Sequence, residues 1–140
     1  MIKNGLLILI LFSFLGCKTA EVNQKIDRKK EGKWVDDYTQ DNIQYKSVEY
    51  YKNDIPVKKW KTYIGGKIYK TEKYKYGICI SKTYYENGKL ESVGKTKLES
   101  DSVQTHWFYF GDWKFYSDKG KLISIKTYNK GEFVSEQKIN

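Results

Sequence analysis

The sequence predicts an all-β fold, an antiparallel β-meander of repeated hairpins forming a single sheet. Composition is the first reason, because the 140 residues include 13 tyrosines and 4 tryptophans, which favour strands with one solvated face. Glycines recur at turn positions along the chain, which is the second reason. The third is period-two alternation, as in the segment where Ile78 and Ile80 share one side of a strand.

The first element is an apolar leader over residues 1–16. Lys3 provides a positive end, Leu6 to Leu15 form an apolar stretch, and the small residue Gly16 precedes Cys17. A membrane-spanning helix needs about 20 apolar residues, and this stretch has roughly half that number. The layout therefore predicts a secretory signal peptide. The alternatives to a lipidated leader are a plain signal peptide or an uncleaved anchor, with Cys17 incidental in both.

The Gly16-Cys17 junction resembles the bacterial lipoprotein signal, although Leu15 is bulkier than the residue usual at its position. The resemblance implies that Cys17 carries a diacylglycerol and becomes the first mature residue, so that the chain is held to a membrane. Lys18 stands where some lipoproteins carry an aspartate that retains them at the inner membrane. We therefore expect a lipid-anchored location in the cell envelope, at the periplasmic or surface face of the outer membrane.

Residues 17–31 are polar and charged, and they predict a flexible tether between membrane and domain. Residues 32–140 then form the folded part, which is long enough for one domain. Four copies of a strand, glycine turn, strand unit follow, at residues 32–38, 59–68, 82–90 and 111–122, with a half-copy at 128–133. Repetition of this kind indicates an array of hairpins. Gly65-Gly66 and Asn87-Gly88 are its strongest turn signals, because these residues tolerate positive φ.

The copies resemble the MORN-repeat variant of bacterial proteins, which has Gly-x-Trp-x-x-Tyr and Tyr-x-x-Gly-Lys-Leu motifs. The resemblance covers about residues 32–134, and residues 84–90 and 113–122 match best. It implies a single sheet that serves as a binding module. Some members of the group are antitoxin-like components, a role that fits poorly with an exported chain. A closed small barrel or a sheet curled over itself is the alternative architecture.

The residue pattern predicts no catalytic residue, metal site or cofactor, and hence no enzyme. His106 is the single histidine, so a multi-histidine zinc site is excluded. The acids Asp36, Asp37 and Asp101 occupy segments typical of turns and loops. Cys79, between two isoleucines, has no basic neighbour that would activate its thiol, and we expect a small core residue there.

Aromatic side chains are the remaining candidates for function. The run from Trp107 to Phe110 must split across two faces of a strand, which leaves rings available for binding. The candidate binding surface consists of Trp34, Trp60, Tyr85, Trp107, Tyr109, Trp113 and Tyr116. We expect a protein partner of unknown identity, or a glycan, and the alternative is an envelope scaffold without a specific ligand.

The chain is basic, with a formal net charge of +9. Its lysines are interleaved with tyrosines rather than clustered, which is typical of a solvated sheet surface. Export argues against a nucleic-acid partner. A weak attraction to anionic lipid or polysaccharide is the further consequence that this charge allows.

Overall fold

The computed structural model describes residues 21–100 and 105–140; the leader, Cys17 and Asp101 lie outside them. Every regular element of the described residues is a β-strand. The strands are β1 (Gln24–Ile26), β2 (Lys29–Gln40), β3 (Ile43–Lys52), β4 (Ile55–Pro56), β5 (Lys58–Ile64), β6 (Lys67–Lys75), β7 (Ile78–Tyr84), β8 (Leu90–Ser100), β9 (Thr105–Tyr116), β10 (Leu122–Asn129) and β11 (Glu132–Lys138).

The eleven strands form one antiparallel sheet in meander order, in which β1-β2-β3-β5-β6-β7-β8-β9-β10-β11 are successive neighbours. The two-residue strand β4 pairs with β3 and lies off this path. Because β1 and β11 do not pair with each other in the described part of the chain, the sheet is open. The predicted all-β meander of hairpins is confirmed, and the closed barrel is not what forms.

The sheet begins earlier in the chain than the sequence predicts. Strand β1 and the first residues of β2 lie within residues 17–31, which were assigned to the flexible tether. Asp27 and Arg28 both adopt positive φ, at 50° and 66°, and form a tight turn that pairs Ile26 with Lys29. The start of strand pairing is therefore corrected from residue 32 to Gln24.

Most turns are two-residue hairpins in which both residues have positive φ, and Gly65-Gly66 is one of them. This geometry matches the right-handed twist of the flanking strands. The Asn87-Gly88 turn differs, because only Gly88 has positive φ and the loop spans residues 85–89. Residues 117–121 form the same loop, with Gly120 in the equivalent place and an equivalent pair of backbone hydrogen bonds.

Strand register gives the sheet two chemically different sides. On one side, which we call the aromatic face, the register aligns Trp60 with Glu72 and Tyr74 with Cys79. This face carries Trp34, Tyr51, Trp60, Tyr74, Trp107, Tyr109 and Trp113. The opposite side, which we call the lysine face, carries Lys73, Lys75, Lys82, Lys95, Lys97 and Lys114.

The core is small, as a one-layer sheet requires. The buried apolar residues of the described part are Cys79, Phe108 and Trp113, which are 1%, 9% and 6% exposed. The split of the 107–110 aromatic run is observed, since Trp107 and Tyr109 lie on the aromatic face while Phe108 opposes Lys97 on the other. Burial therefore depends on rings that lie over small neighbours rather than on a second layer.

Candidate functional site

A row of five aromatic rings crosses the aromatic face. Neighbouring ring centroids are 6.2 Å apart for Trp34–Tyr51, 4.8 Å for Tyr51–Trp60, 4.7 Å for Trp60–Tyr74 and 5.3 Å for Tyr74–Trp107. Each separation lies within the range of tilted or edge-to-face aromatic pairs. We call this set the aromatic row. All five rings are half-buried, so each keeps part of its surface in solvent.

The aromatic row joins rings from strands that are not neighbours in the sheet. Tyr74 lies on β6 and Trp107 on β9, three strands away, which in a flat sheet is about 14 Å. Their rings nevertheless meet at 5.3 Å, because β7 and β8 between them present small residues such as Cys79. Burial, and then the nearby charge of Glu72, raise the pKa of the Cys79 thiol to about 11. The cysteine is therefore a packing residue, as the sequence predicts.

A groove of about 520 Å³ lies on the aromatic face and is lined by residues from β6 to β10. Hydroxyl-bearing residues of β7 and β8 line its floor, and the Thr83 and Ser92 hydroxyls lie 2.7 Å apart. Aromatic rings from β9 and β10 form one wall, including Tyr109 and Tyr128. A Lys70–Glu72 ion pair of 2.7 Å, from β6, lies on the opposite side.

Trp113 fixes the shape of this groove. Its ring covers Gly94 so closely that a Cβ atom at Gly94 would lie 2.0 Å from Trp113 Cδ2. The indole Nε1 donates to the backbone carbonyl of Lys95 at 3.1 Å. Tyr109 packs on the same indole, with centroids 4.3 Å apart, and remains 47% exposed. Trp113 is thus a structural ring, while Tyr109 is open to a ligand.

The two tryptophans at the β2–β5 end are held differently. Trp60 Nε1 donates to the carbonyls of Tyr50 and Val57, at 2.9 and 3.1 Å. Trp34 Nε1 is buried and has no hydrogen-bond partner among the described residues. The Lys30 ammonium lies 4.5 Å from the ring centroids of both Trp34 and Tyr51, and the second of these cation–π contacts links β2 to β3.

Two tyrosines of the aromatic row have pKa values raised by burial and by nearby carboxylates. The Tyr51 hydroxyl donates to Glu49 at 2.8 Å. Burial, with the charge of Glu49, holds the pKa of Tyr51 well above its usual value. Burial and the charge of Glu72 raise the pKa of Tyr74 in the same way. Both phenols therefore remain protonated hydrogen-bond donors throughout the physiological range.

The structure distributes the sequence-predicted binding residues over separate places. Trp34, Trp60 and Trp107 come together within the aromatic row. Tyr109 and Trp113 form a second cluster at the groove wall. These five residues share the aromatic face, and together they span it from β2 to β9.

Tyr85 and Tyr116 lie apart from that face, where two hairpin loops meet. The Tyr85 hydroxyl donates to the Tyr116 carbonyl at 2.7 Å, which links the 85–89 loop to the end of β9. The binding surface predicted from the sequence leaves out Tyr51 and Tyr74, which connect the tryptophans. Their signal is register, since both rings lie beside Trp60 across neighbouring strands.

No cluster of metal-binding side chains forms among the residues that the structure describes. The groups of three or more His, Cys, Asp or Glu that would hold a metal ion are absent there. His106 is exposed and packs beside Phe108, with centroids 5.5 Å apart. Hydrogen bonds from Gln44 and then Lys46 lower the pKa of the Asp37 carboxyl, which therefore serves an exposed ion pair.

Comparison with protein-family models, characterised proteins and solved structures returns no match for this chain. Within the described ranges, 21–100 and 105–140, the structure has no helix long and apolar enough to cross a bilayer.

Proposed function

We propose that this chain is an exported, lipid-anchored binding module, without enzymatic activity, whose aromatic face recognises another protein at the cell envelope. The leader supports the export and anchoring, through acylation of Cys17 at the Gly16-Cys17 junction. The matching loops at 85–89 and 117–121 support the interpretation as degenerate MORN-like repeats, because they place glycine in the same position of the same five-residue turn.

One observation carries the proposed binding role. The aromatic face combines the aromatic row with a groove across β6–β10, and no second layer covers it in the described part of the chain. Tyrosine and tryptophan are the residues most enriched at the energetic centres of protein interfaces. Tyr109, 47% exposed beside the buried Trp113, offers an accessible ring on a rigid support.

Site-specific photo-crosslinking tests this role. A photoreactive phenylalanine analogue replaces Tyr109 in the full chain, expressed in its native host, and the matched control replaces Tyr76, which is 89% exposed at a turn. We expect a discrete protein adduct from position 109 that position 76 does not give. The purified partner should then bind the wild-type chain and bind the Tyr109→Ser variant at least about tenfold more weakly.

The alternatives give different results in the same experiment. A scaffold without a ligand gives no adduct at position 109 in an envelope fraction that contains the chain. A glycan ligand, which the hydroxyls of Thr83 and Ser92 on the groove floor also suit, gives an adduct that glycosidases remove. Either result would refute the protein-binding proposal. Mass analysis of residue 17 in the recovered chain tests the anchor separately.

A further inference from the structure

The lysine face is a two-dimensional array of ammonium groups. Across the strands, the register alternates Lys73, Ile80 and Lys95 in one row and Lys75, Ile78 and Lys97 in the next. Lysines of one row are thus two strands apart, about 9.6 Å, while the two rows are separated by two residues along the strand, about 7 Å.

The charge of this array is largely uncompensated within the described residues. The six lysines named above are all exposed, and of these only Lys97 forms a salt bridge there, with Glu99 at 3.2 Å. Asp112, on the same side of β9, accepts a hydrogen bond from the Thr127 hydroxyl at 2.7 Å. On the aromatic face, by contrast, Lys70 is neutralised by Glu72.

Apolar side chains fill the spaces between the lysines. Ile78 and Ile80 are 36% and 38% exposed, although isoleucine is among the residues most often buried. Flexible ammonium groups around short apolar side chains suit the boundary between headgroups and acyl chains, where lysine stems lie along apolar surface and their charges stay in water.

We propose that the lysine face docks on the surface of a bilayer containing anionic phospholipid. The array extends in two directions, over β6–β9 and along each strand, so a surface of negative headgroups meets several of its charges at once. A linear polyanion would cover one row. Juxtamembrane lysines gain attraction from an anionic leaflet within about a Debye length of it. This inference depends on the lysine array alone and not on acylation of Cys17, and it leaves the aromatic face turned away from the lipid.

Lysine footprinting on the full chain tests the proposal. The chain is incorporated into vesicles of phosphatidylcholine alone, or of equal parts phosphatidylcholine and phosphatidylglycerol, and its amines are acylated and mapped by mass spectrometry. Lys73, Lys82 and Lys95 should label at least about threefold more slowly on the anionic vesicles at low salt, and high salt should remove the difference. Lys119 and Lys121, in an exposed hairpin turn, are internal controls.

Charge-reversal variants give the second readout. Lys73→Glu/Lys82→Glu/Lys95→Glu should lose at least about tenfold in its preference for anionic over neutral vesicles. The control Lys119→Glu/Lys121→Glu/Lys130→Glu, with the same net charge and all three changes in turns, should lose less than about threefold. Near-ultraviolet circular dichroism confirms that both variants are folded.

Each result decides one question. Equal labelling of the lysine face on both vesicle types, or equal losses for the two variants, would overturn the proposal. So would protection of these lysines by soluble dextran sulfate without any protection on anionic vesicles. Association with neutral vesicles reports on the proposed anchor, so an anchored chain with an unprotected lysine face would refute only this inference.

Discussion

Replacing Gly94 by alanine tests how the groove is built. Gly94 is outside the set of residues with positive φ, so alanine fits its backbone without strain. The added methyl, however, would lie 2.0 Å from Cδ2 and 2.3 Å from Cε2 of Trp113. The neighbouring atoms belong to a rigid indole that is 6% exposed. The ring must therefore leave its site on β8.

The expected loss of stability follows from the burial and the hydrogen bond that Trp113 would lose. A buried tryptophan removes about 150–250 Å² from water, worth roughly 4–6 kcal/mol at about 25 cal/mol per Å² as an upper bound. The Nε1 hydrogen bond to Lys95 contributes about 1 kcal/mol more. Overpacked cores usually relax in part, at a cost of about 1–3 kcal/mol. We expect Gly94→Ala to cost about 3 kcal/mol, or roughly 10 °C in Tm.

A double-mutant cycle with Trp113→Leu is the assay. Thermal unfolding is followed by circular dichroism for the wild type, both single variants and the double variant. In the Trp113→Leu background the methyl meets no indole, so Gly94→Ala should become neutral or slightly stabilising, because alanine orders more easily than glycine in a strand. An equal loss in both backgrounds would refute the packing of Trp113 on Gly94.

Three further predictions concern the aromatic row and the residue beneath it. Trp60→Phe should destabilise the protein by at least about 1 kcal/mol more than Trp34→Phe, as measured by chemical denaturation. The reason is that the change at Trp60 removes two hydrogen bonds, whereas the change at Trp34 removes a buried N–H that has no partner. Equal losses of stability would contradict this. Stability should fall as pH rises above about 10, where unfolded tyrosines ionise while Tyr51 and Tyr74 keep their protons, and a double phenylalanine variant should show a shallower fall in pH-dependent unfolding. Cys79 should resist iodoacetamide at pH 8 and react in urea, because it is buried and its pKa is raised to about 11; rapid native alkylation would show an open site.

The sequence was sufficient for the strand pattern and for most of the turn positions. Alternation around Trp113 and Phe115, and the glycine at residue 120, each specify local geometry within a few residues. The tight turn at Asp27-Arg28 was missed, because its charged flanks suggested an unstructured tether. In a sequence, an aspartate followed by an arginine is a much weaker signal for a turn with positive φ than the pair Gly65-Gly66 is.

The candidate site could not be derived in the same way, because it depends on register and on contacts between strands that are not neighbours. The sequence placed Ile78 and Ile80 on one side of a strand without indicating which side the sheet would bury. In the structure the small residues Cys79 and Ser81 are buried on the aromatic face, and the isoleucines face solvent among lysines. Contacts between strands three apart have no local signature in the chain.

A nuclear Overhauser experiment on the isotopically labelled full chain tests the two-faced sheet most directly. The β protons of Cys79 should show contacts to the ring protons of both Tyr74 and Trp107, because these rings meet above it. Contacts from the methyl groups of Ile78 or Ile80 to those rings, in place of Cys79, would show a register shifted by one residue. That result would contradict the assignment of an aromatic face and a lysine face.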